Sequence, residues 1–174
     1  RDGVKVFHGL SGELPKGAKK AGIDTVVTIH DLIFMRHPEF YHWWDALIYK
    51  WKFRQTLKEA NRIIAISECT KRDIVELGRF PANRISVIYQ SCDTRFRQSA
   101  TAEKQQEVAQ RYALPARFVL NVGTIEARKN VLVASKAMQA VAQDVHLVIL
   151  VRPTPYMNKV KSWVEKHGLS SRVH

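Results

Sequence analysis

Residues 118–130 read F-V-L-N-V-G-T-I-E-A-R-K-N, and this stretch decides the fold that we expect. Its apolar start, residues 118–120, is typical of a buried parallel strand, and that strand ends at Gly123. Apolar residues then recur between Val131 and Val141 at spacings of three, four and three, which predicts a helix. The pattern is therefore a strand, a glycine turn and a helix, the basic unit of an α/β fold.

Two cations, Arg128 and Lys129, lie in the turn between this strand and its helix. Backbone N–H groups at a helix start carry partial positive charge, and the two side chains add full charges. The turn is thus a candidate phosphate site. On spacing alone, an ordinary turn with solvated cations is the favoured alternative, because one glycine after a strand is weak evidence.

The 174-residue chain carries 28 Lys and Arg against 16 Asp and Glu, a formal net charge of +12. This balance favours anionic partners such as nucleotide phosphates, acidic lipid head groups or nucleic acid. Cys69 and Cys92 have neither disulfide-framework nor metal-site spacing, so we expect the reducing cytoplasm. We see no signal peptide and no apolar run near 20 residues, so the sequence predicts no membrane-spanning segment.

Strands and helices alternate along the whole chain at intervals typical of βαβ units, which predicts an α/β protein with parallel sheets. A turn is expected at Pro153 and Pro155. We predict two Rossmann-like domains, residues 1–95 and 103–174, joined by a polar linker at 96–102. The predicted strands are 4–7, 25–29, 62–66, 84–89, 118–123 and 145–151; the predicted helices are 41–60, 67–77, 103–112, 131–141 and 157–167.

The helix predicted over residues 41–60 contains three tryptophans and two tyrosines among basic residues. These rings exceed what one narrow buried stripe holds, so we expect some of them to remain exposed. A membrane-surface or partner face is one interpretation, and it leads us to expect a peripheral contact of the protein with the inner face of an anionic membrane. A core helix with a solvated basic side is the other interpretation.

Four segments together resemble glycosyltransferase family 4, in family order and over most of the chain. They are T-I-H-D-L (28–32), R-I-I-A-I-S-E-C-T-K-R-D-I (62–74), R-I-S-V-I-Y-Q-S-C-D (84–93) and N-V-G-T-I-E-A-R-K-N (121–130). The T-P-Y at 154–156 is similar to the bacterial mannosyltransferase-like branch. The resemblance implies a GT-B fold of two Rossmann-like domains.

The resemblance also implies an activity: transfer of a sugar from a nucleotide-sugar donor to a glycan or lipid-linked acceptor. Members usually retain the anomeric configuration and need no DxD-bound metal, and no cofactor is implied. The amino-terminal domain mainly takes the acceptor, and the carboxyl-terminal domain takes the donor. The mannosyltransferase-like branch favours GDP-mannose as donor and polysaccharide assembly as the process.

Site residues follow from the resemblance by position. His30 matches the cleft histidine near the donor sugar and is the catalytic candidate, whereas we expect Asp31 to cap its loop. Lys129 matches the lysine that binds the donor diphosphate. Arg128 lies beside it, and Gly123 lets the backbone approach the diphosphate.

The chain departs from the family pattern at three positions. Thr124 stands where many relatives have arginine after the glycine; it is included among the diphosphate-binding candidates, and donor affinity at this position depends on compensation by Arg128. Val151 stands where relatives often have glycine beside the donor cleft, and Gly12 replaces a frequent asparagine. The family's paired glutamates are expected beyond His174, and its acceptor loop before Arg1. We therefore expect an internal fragment that is inactive by itself.

Two other hypotheses remain open. A basic α/β module for nucleic acid agrees with the net charge, but the sequence lacks an RNP, KH or helix-turn-helix signature, so nucleic acid is not the expected partner. An inactive truncated scaffold is the second alternative.

Overall fold

The computed structural model describes residues 3–152 and 154–174, so the turn expected at Pro153 lies outside the described residues. The chain divides into two compact units, the first ending at Asp93 and the second spanning Thr94–His174. The predicted linker at 96–102 lies in the second unit, where residues 94–97 form a 3-10 turn.

The first unit contains a parallel sheet whose strand order follows the sequence. The strands are β1 (Val6–Gly9), β2 (Asp24–Ile29), β3 (Arg62–Ala65) and β4 (Ile85–Val87). All three neighbouring pairs are parallel, as the alternation of elements predicts.

Three helices accompany this sheet: α1 (Ile33–Arg36), α2 (Trp43–Glu59) and α3 (Glu68–Gly78). The Ser67 hydroxyl accepts a hydrogen bond from the Thr70 N–H at 3.1 Å and so caps the start of α3. The core joins apolar side chains of the strands to Phe53 of α2 and Ile74 of α3. Beta-branched strand residues and one face of each helix therefore form this core, as their spacing predicts.

The second unit contains α4 (Ala102–Arg111), β5 (Phe118–Thr124), α5 (Val131–Ala137), β6 (His146–Arg152) and α6 (Tyr156–Lys166). β5 and β6 pair in parallel over their full lengths. Val173 adds a single parallel bridge to Leu147.

The prediction that β5 is buried is wrong. Val122 is 67% exposed, and Val119 and Leu120 are 54% and 53% exposed. The core of this unit joins residues of α5 and α6 to Leu147 of β6, so it covers one face of the two-stranded sheet. A parallel strand becomes fully buried only when helices cover both faces.

Helix α5 is also shorter than predicted, since it ends at Ala137 rather than near Val141. After Ala137 the backbone bonds tighten to the i→i+3 type, as in the bond from the Ala140 N–H to the Ala137 carbonyl at 3.0 Å. The carbonyls of Met138 and Val141 instead accept hydrogen bonds from the guanidinium of Arg172.

Candidate functional site

His30 follows the last residue of β2, at the carboxyl end of the sheet in the first unit, the edge where open parallel sheets bind ligands. Its Nε2 lies 3.0 Å from the Leu10 carbonyl oxygen, and its Nδ1 lies 3.4 Å from the Gln90 amide nitrogen. A carbonyl only accepts, so Nε2 donates the hydrogen bond to Leu10. The two contacts orient an imidazole whose ring remains exposed.

The loop after β1 is attached next to His30. The Gly12 N–H donates to the Thr28 carbonyl at 3.0 Å, and the Thr56 hydroxyl of α2 donates to the Gly12 carbonyl at 3.0 Å. Gly12 has φ of +81°. Glycine and asparagine both tolerate this left-handed region, so the exchange of the family's asparagine for Gly12 fits the backbone.

An open cavity of about 200 Å³ lies between this loop, His30 and the inward face of α2. The Lys52 ammonium on α2 binds the Glu13 carboxylate of the loop at 2.9 Å, and this contact raises the pKa of Lys52. Tyr49 also lines the cavity. Asp31 accepts a hydrogen bond from the Ile33 N–H at 3.2 Å, which agrees with the capping role expected for it.

Glu13, Tyr49 and Lys52 were not predicted as site residues. The helical positions of Tyr49, Lys52 and Thr56 place them on one face of α2, opposite the tryptophans, and that spacing was the available signal. Glu13 gave no local signal, because its partner lies 39 residues away along the chain.

In the second unit, Gly123 lies one residue before the end of β5 and has φ of +155°, a conformation that L side chains rarely adopt. Apart from its two chain neighbours, no described residue has an atom within 4 Å of the position that a Cβ would occupy there. The glycine is therefore required by the backbone conformation rather than by crowding, and the space beside it is open to a ligand.

Residues 127–129 form a 3-10 turn that carries both predicted cations, Arg128 and Lys129. The Arg128 Nε binds the Glu126 carboxylate at 2.7 Å, which holds the guanidinium and offsets part of its charge. Lys129 is exposed and forms no ion pair within the described chain. Asn130 then takes a left-handed conformation, φ +52°, and joins the turn to α5.

Thr124 ends β5, opposite Arg152 of β6, while Gly123 lies opposite Val151. Val151 packs against the core of the unit, and it approaches no closer than 4 Å to the Cβ position of Gly123. Gly123, Thr124, Arg128 and Lys129 thus lie in one continuous stretch of the second unit, whereas His30 belongs to the first unit. With seven residues, α5 is too short to contribute a strong dipole, so the positive charge of the turn comes mainly from its side chains.

Within residues 3–152 and 154–174, no three His, Cys, Asp or Glu side chains converge as a metal ion would require.

Comparison with solved structures defines the class of the fold. The Anabaena protein HepE, solved with UDP and glucose, superposes with a TM-score of 0.72 at 17% identity, over 90% of this chain and 42% of its own. A glycosyltransferase from Rickettsia africae gives a TM-score of 0.59 at 15% identity, over 90% of this chain and 47% of its own. These likenesses confirm the predicted α/β fold of the GT-B type.

Sequence comparison defines the family. The profile of glycosyltransferase family 4 matches residues 6–96, more than half of the chain, which therefore belongs to this family. The O-antigen chain mannosyltransferase B of Escherichia coli is 29% identical over 144 residues, which cover 82% of this chain and 36% of that protein. The chain thus spans well under half the length of the relatives that it matches.

Proposed function

We propose that the whole protein is a glycosyltransferase that moves a sugar from a nucleotide-sugar donor to a glycan or lipid-linked acceptor. The observation that carries this proposal is the stretch from Gly123 to Lys129, where an open glycine backbone lies at the end of a parallel strand and an exposed lysine follows that strand. Family membership agrees with it, and so does the UDP bound by HepE. Fold alone would not suffice, because one fold hosts many functions.

The donor diphosphate gains negative charge as the bond to the sugar breaks. A fixed cation stabilises that charge more strongly in the transition state than in the ground state, so it accelerates the reaction. In our proposal Lys129 supplies this charge, and Gly123 and Thr124 let the backbone approach the phosphates. Arg128 contributes less, since Glu126 already binds its Nε.

His30 acts on the sugar side in this proposal. Its Nδ1 faces the Gln90 side chain across a contact of 3.4 Å, which is long enough for a ligand hydroxyl to replace it. The adjoining cavity offers a carboxylate, an ammonium and a phenol ring at Glu13, Lys52 and Tyr49. Such groups bind sugar hydroxyls through hydrogen bonds. The cavity has a volume of about 200 Å³, which is smaller than the roughly 300–1,000 Å³ of pockets that hold drug-sized ligands.

We propose mannose as the sugar and GDP-mannose as the donor, with retention and without a metal ion. The name of the Escherichia coli relative, an O-antigen chain mannosyltransferase, supports mannose and polysaccharide assembly. The UDP of HepE supports the competing donor class, so the experiment must compare both nucleotides.

Calorimetry of the full-length protein with GDP, UDP and their sugar conjugates tests the proposal. We expect Lys129→Ala to weaken nucleoside diphosphate binding by about 1.5–3 kcal/mol, the scale of a charge-assisted hydrogen bond. Lys166→Ala is the matched control, because Lys166 is also exposed but belongs to α6. If wild type and Lys129→Ala bind the nucleotide with equal affinity, or if both variants lose affinity equally, Lys129 does not bind the diphosphate and is an ordinary solvated side chain.

A further inference from the structure

One face of α2 carries large apolar side chains that the first unit leaves exposed; we call it the tryptophan face. Trp43, Trp44 and Trp51 are 58%, 61% and 59% exposed, and Leu47 and Ile48 are about half exposed. These residues recur at helical spacing opposite the buried residues of α2. The expectation that some of the rings remain exposed is thus confirmed, and a contiguous patch of this kind marks an interaction surface.

The same side of α2 becomes basic toward its end. Arg54 and Lys58 follow Trp51 by three and seven residues, so they continue the tryptophan face along the helix. Together with Arg79 they line an open groove of about 540 Å³ at the end of α3, which we call the basic groove. Its other lining residues are apolar or uncharged: Trp51, Gln55, Leu57, Gly78 and Phe80.

The packing of α3 on α2 places Arg79 in this groove. A Cβ on Gly78 would lie 3.0 Å from the Phe53 ring and 3.0 Å from Leu57, so the two helices approach closely there and a larger residue would require these side chains to shift. Arg79 then ends α3 in a left-handed conformation, φ +53°. Three cations therefore line one groove without a carboxylate among its lining residues.

We propose that α2 docks on an anionic phospholipid bilayer, with lipid phosphates in the basic groove and the indoles of the tryptophan face at the head-group boundary. Indole rings favour that boundary, because their body is apolar while the N–H stays hydrated. Arginine and lysine near an anionic surface are attracted to it. A groove of one charge beside an apolar face matches a ligand that is itself anionic at one end and apolar at the other.

The dimensions of α2 agree with docking in the plane of the surface. The helix has 17 residues, and none of the helices in the described part of the chain has the length and apolarity needed to cross a bilayer. Its opposite face packs into the core through Ala46, Phe53 and Thr56. A helix held to the core by its inner face in this way rests with its outer face on the interface rather than entering the bilayer.

Sedimentation of the full chain with vesicles tests the proposal. We expect binding to vesicles with 30% phosphatidylglycerol in phosphatidylcholine at low salt, weaker binding at high salt, and little binding to phosphatidylcholine alone. In a Trp163→Phe background, the remaining tryptophans all lie on the tryptophan face. Their emission should then shift to the blue on binding, and brominated lipid should quench it.

Paired charge variants separate the groove from net charge. Replacing Arg54, Lys58 and Arg79 with glutamine should lower the partition coefficient roughly a hundredfold, since each cation near the surface contributes about fivefold. Replacing Lys16, Lys20 and Lys166 with glutamine removes the same charge from exposed positions outside the groove and should lower it far less.

Three results would overturn the proposal. The first is that the full chain stays in the supernatant with anionic vesicles at low salt. The second is that the two triple variants lose affinity for the vesicles equally. The third is competition at constant ionic strength: if inorganic phosphate or duplex DNA displaces the protein from vesicles where chloride does not, the groove binds free phosphate or nucleic acid instead of lipid.

Discussion

Replacing Arg172 with alanine should destabilise the second unit more than any surface charge change there. Arg172 is only 7% exposed. Its guanidinium donates hydrogen bonds to the carbonyls of Met138, Val141, Ala142 and Val145, and to the Gln143 side-chain oxygen. None of these partners is a carboxylate, so peptide and amide dipoles alone stabilise the buried charge. The side chain thereby caps the end of α5 and joins it to β6.

The size of this destabilisation follows from the carbonyl groups that Arg172→Ala leaves without a hydrogen-bond donor. Each buried carbonyl that loses its donor costs about 1–3 kcal/mol. Ala142 and Gln143 are exposed, so water replaces the guanidinium at those two positions. Met138 is buried, whereas Val141 and Val145 are half-buried, so water reaches their carbonyls in part. We therefore expect Arg172→Ala to lower the free energy of unfolding by about 2–4 kcal/mol. Arg172→Lys should recover only part of the loss, since an ammonium has three donors and no planar fork.

Urea denaturation of the full chain measures this effect. Trp163 is the one tryptophan of the second unit, so its emission reports that unit once residues 43, 44 and 51 are phenylalanine. The matched control is Arg117→Ala, which removes an exposed ion pair with Asp144 and should cost less than about 1 kcal/mol. If Arg172→Ala costs no more than Arg117→Ala, the carbonyl cluster does not stabilise the unit and the reasoning fails.

Two other predictions concern backbone conformation and pH. Gly123→Ala should cost about 1–3 kcal/mol of stability through strain at φ +155°, without steric overlap; an unchanged urea midpoint would contradict this. The N–H groups of Gly17 and Lys19 hold the pKa of Glu59 below its usual 4.5, so its ionised form stabilises the fold above that pH. The difference in free energy of unfolding between wild type and Glu59→Gln should therefore shrink as the pH falls below 4.5 and through the lower pKa of Glu59 in the folded protein. If thermal unfolding at acidic pH shows a constant difference, the ionised Glu59 does not stabilise the fold.

Local signals predicted most elements of the fold. The apolar runs of the strands and the helical spacing of apolar residues act within a few positions, so the sequence is enough to locate these elements. The burial of β5 was mispredicted because it depends on what packs on both faces of the sheet. The end of α5 was mispredicted because it depends on Arg172, more than 30 residues further along the chain.

The candidate site divides in the same way. The turn from Gly123 to Lys129 is contiguous, so its cations and its glycine could be read together from the sequence. The Glu126 contact that offsets the charge of Arg128 depends on side-chain geometry that spacing does not predict. The surroundings of His30 come from positions 20 and 60 residues away, and the cavity beside it requires a loop and a helix to meet.

The two faces of α2 connect the proposals. Its inward face lines the cavity beside His30 with Tyr49 and Lys52, while its outward face carries the exposed tryptophans. A helix is about 10 Å across with its side chains, so a membrane on the outer face would lie about one helix diameter from the cavity. An acceptor sugar linked to a membrane lipid would then reach the cavity without leaving the surface. If α2 binds anionic vesicles as proposed, a lipid-linked acceptor should therefore be preferred over the same sugar free in solution.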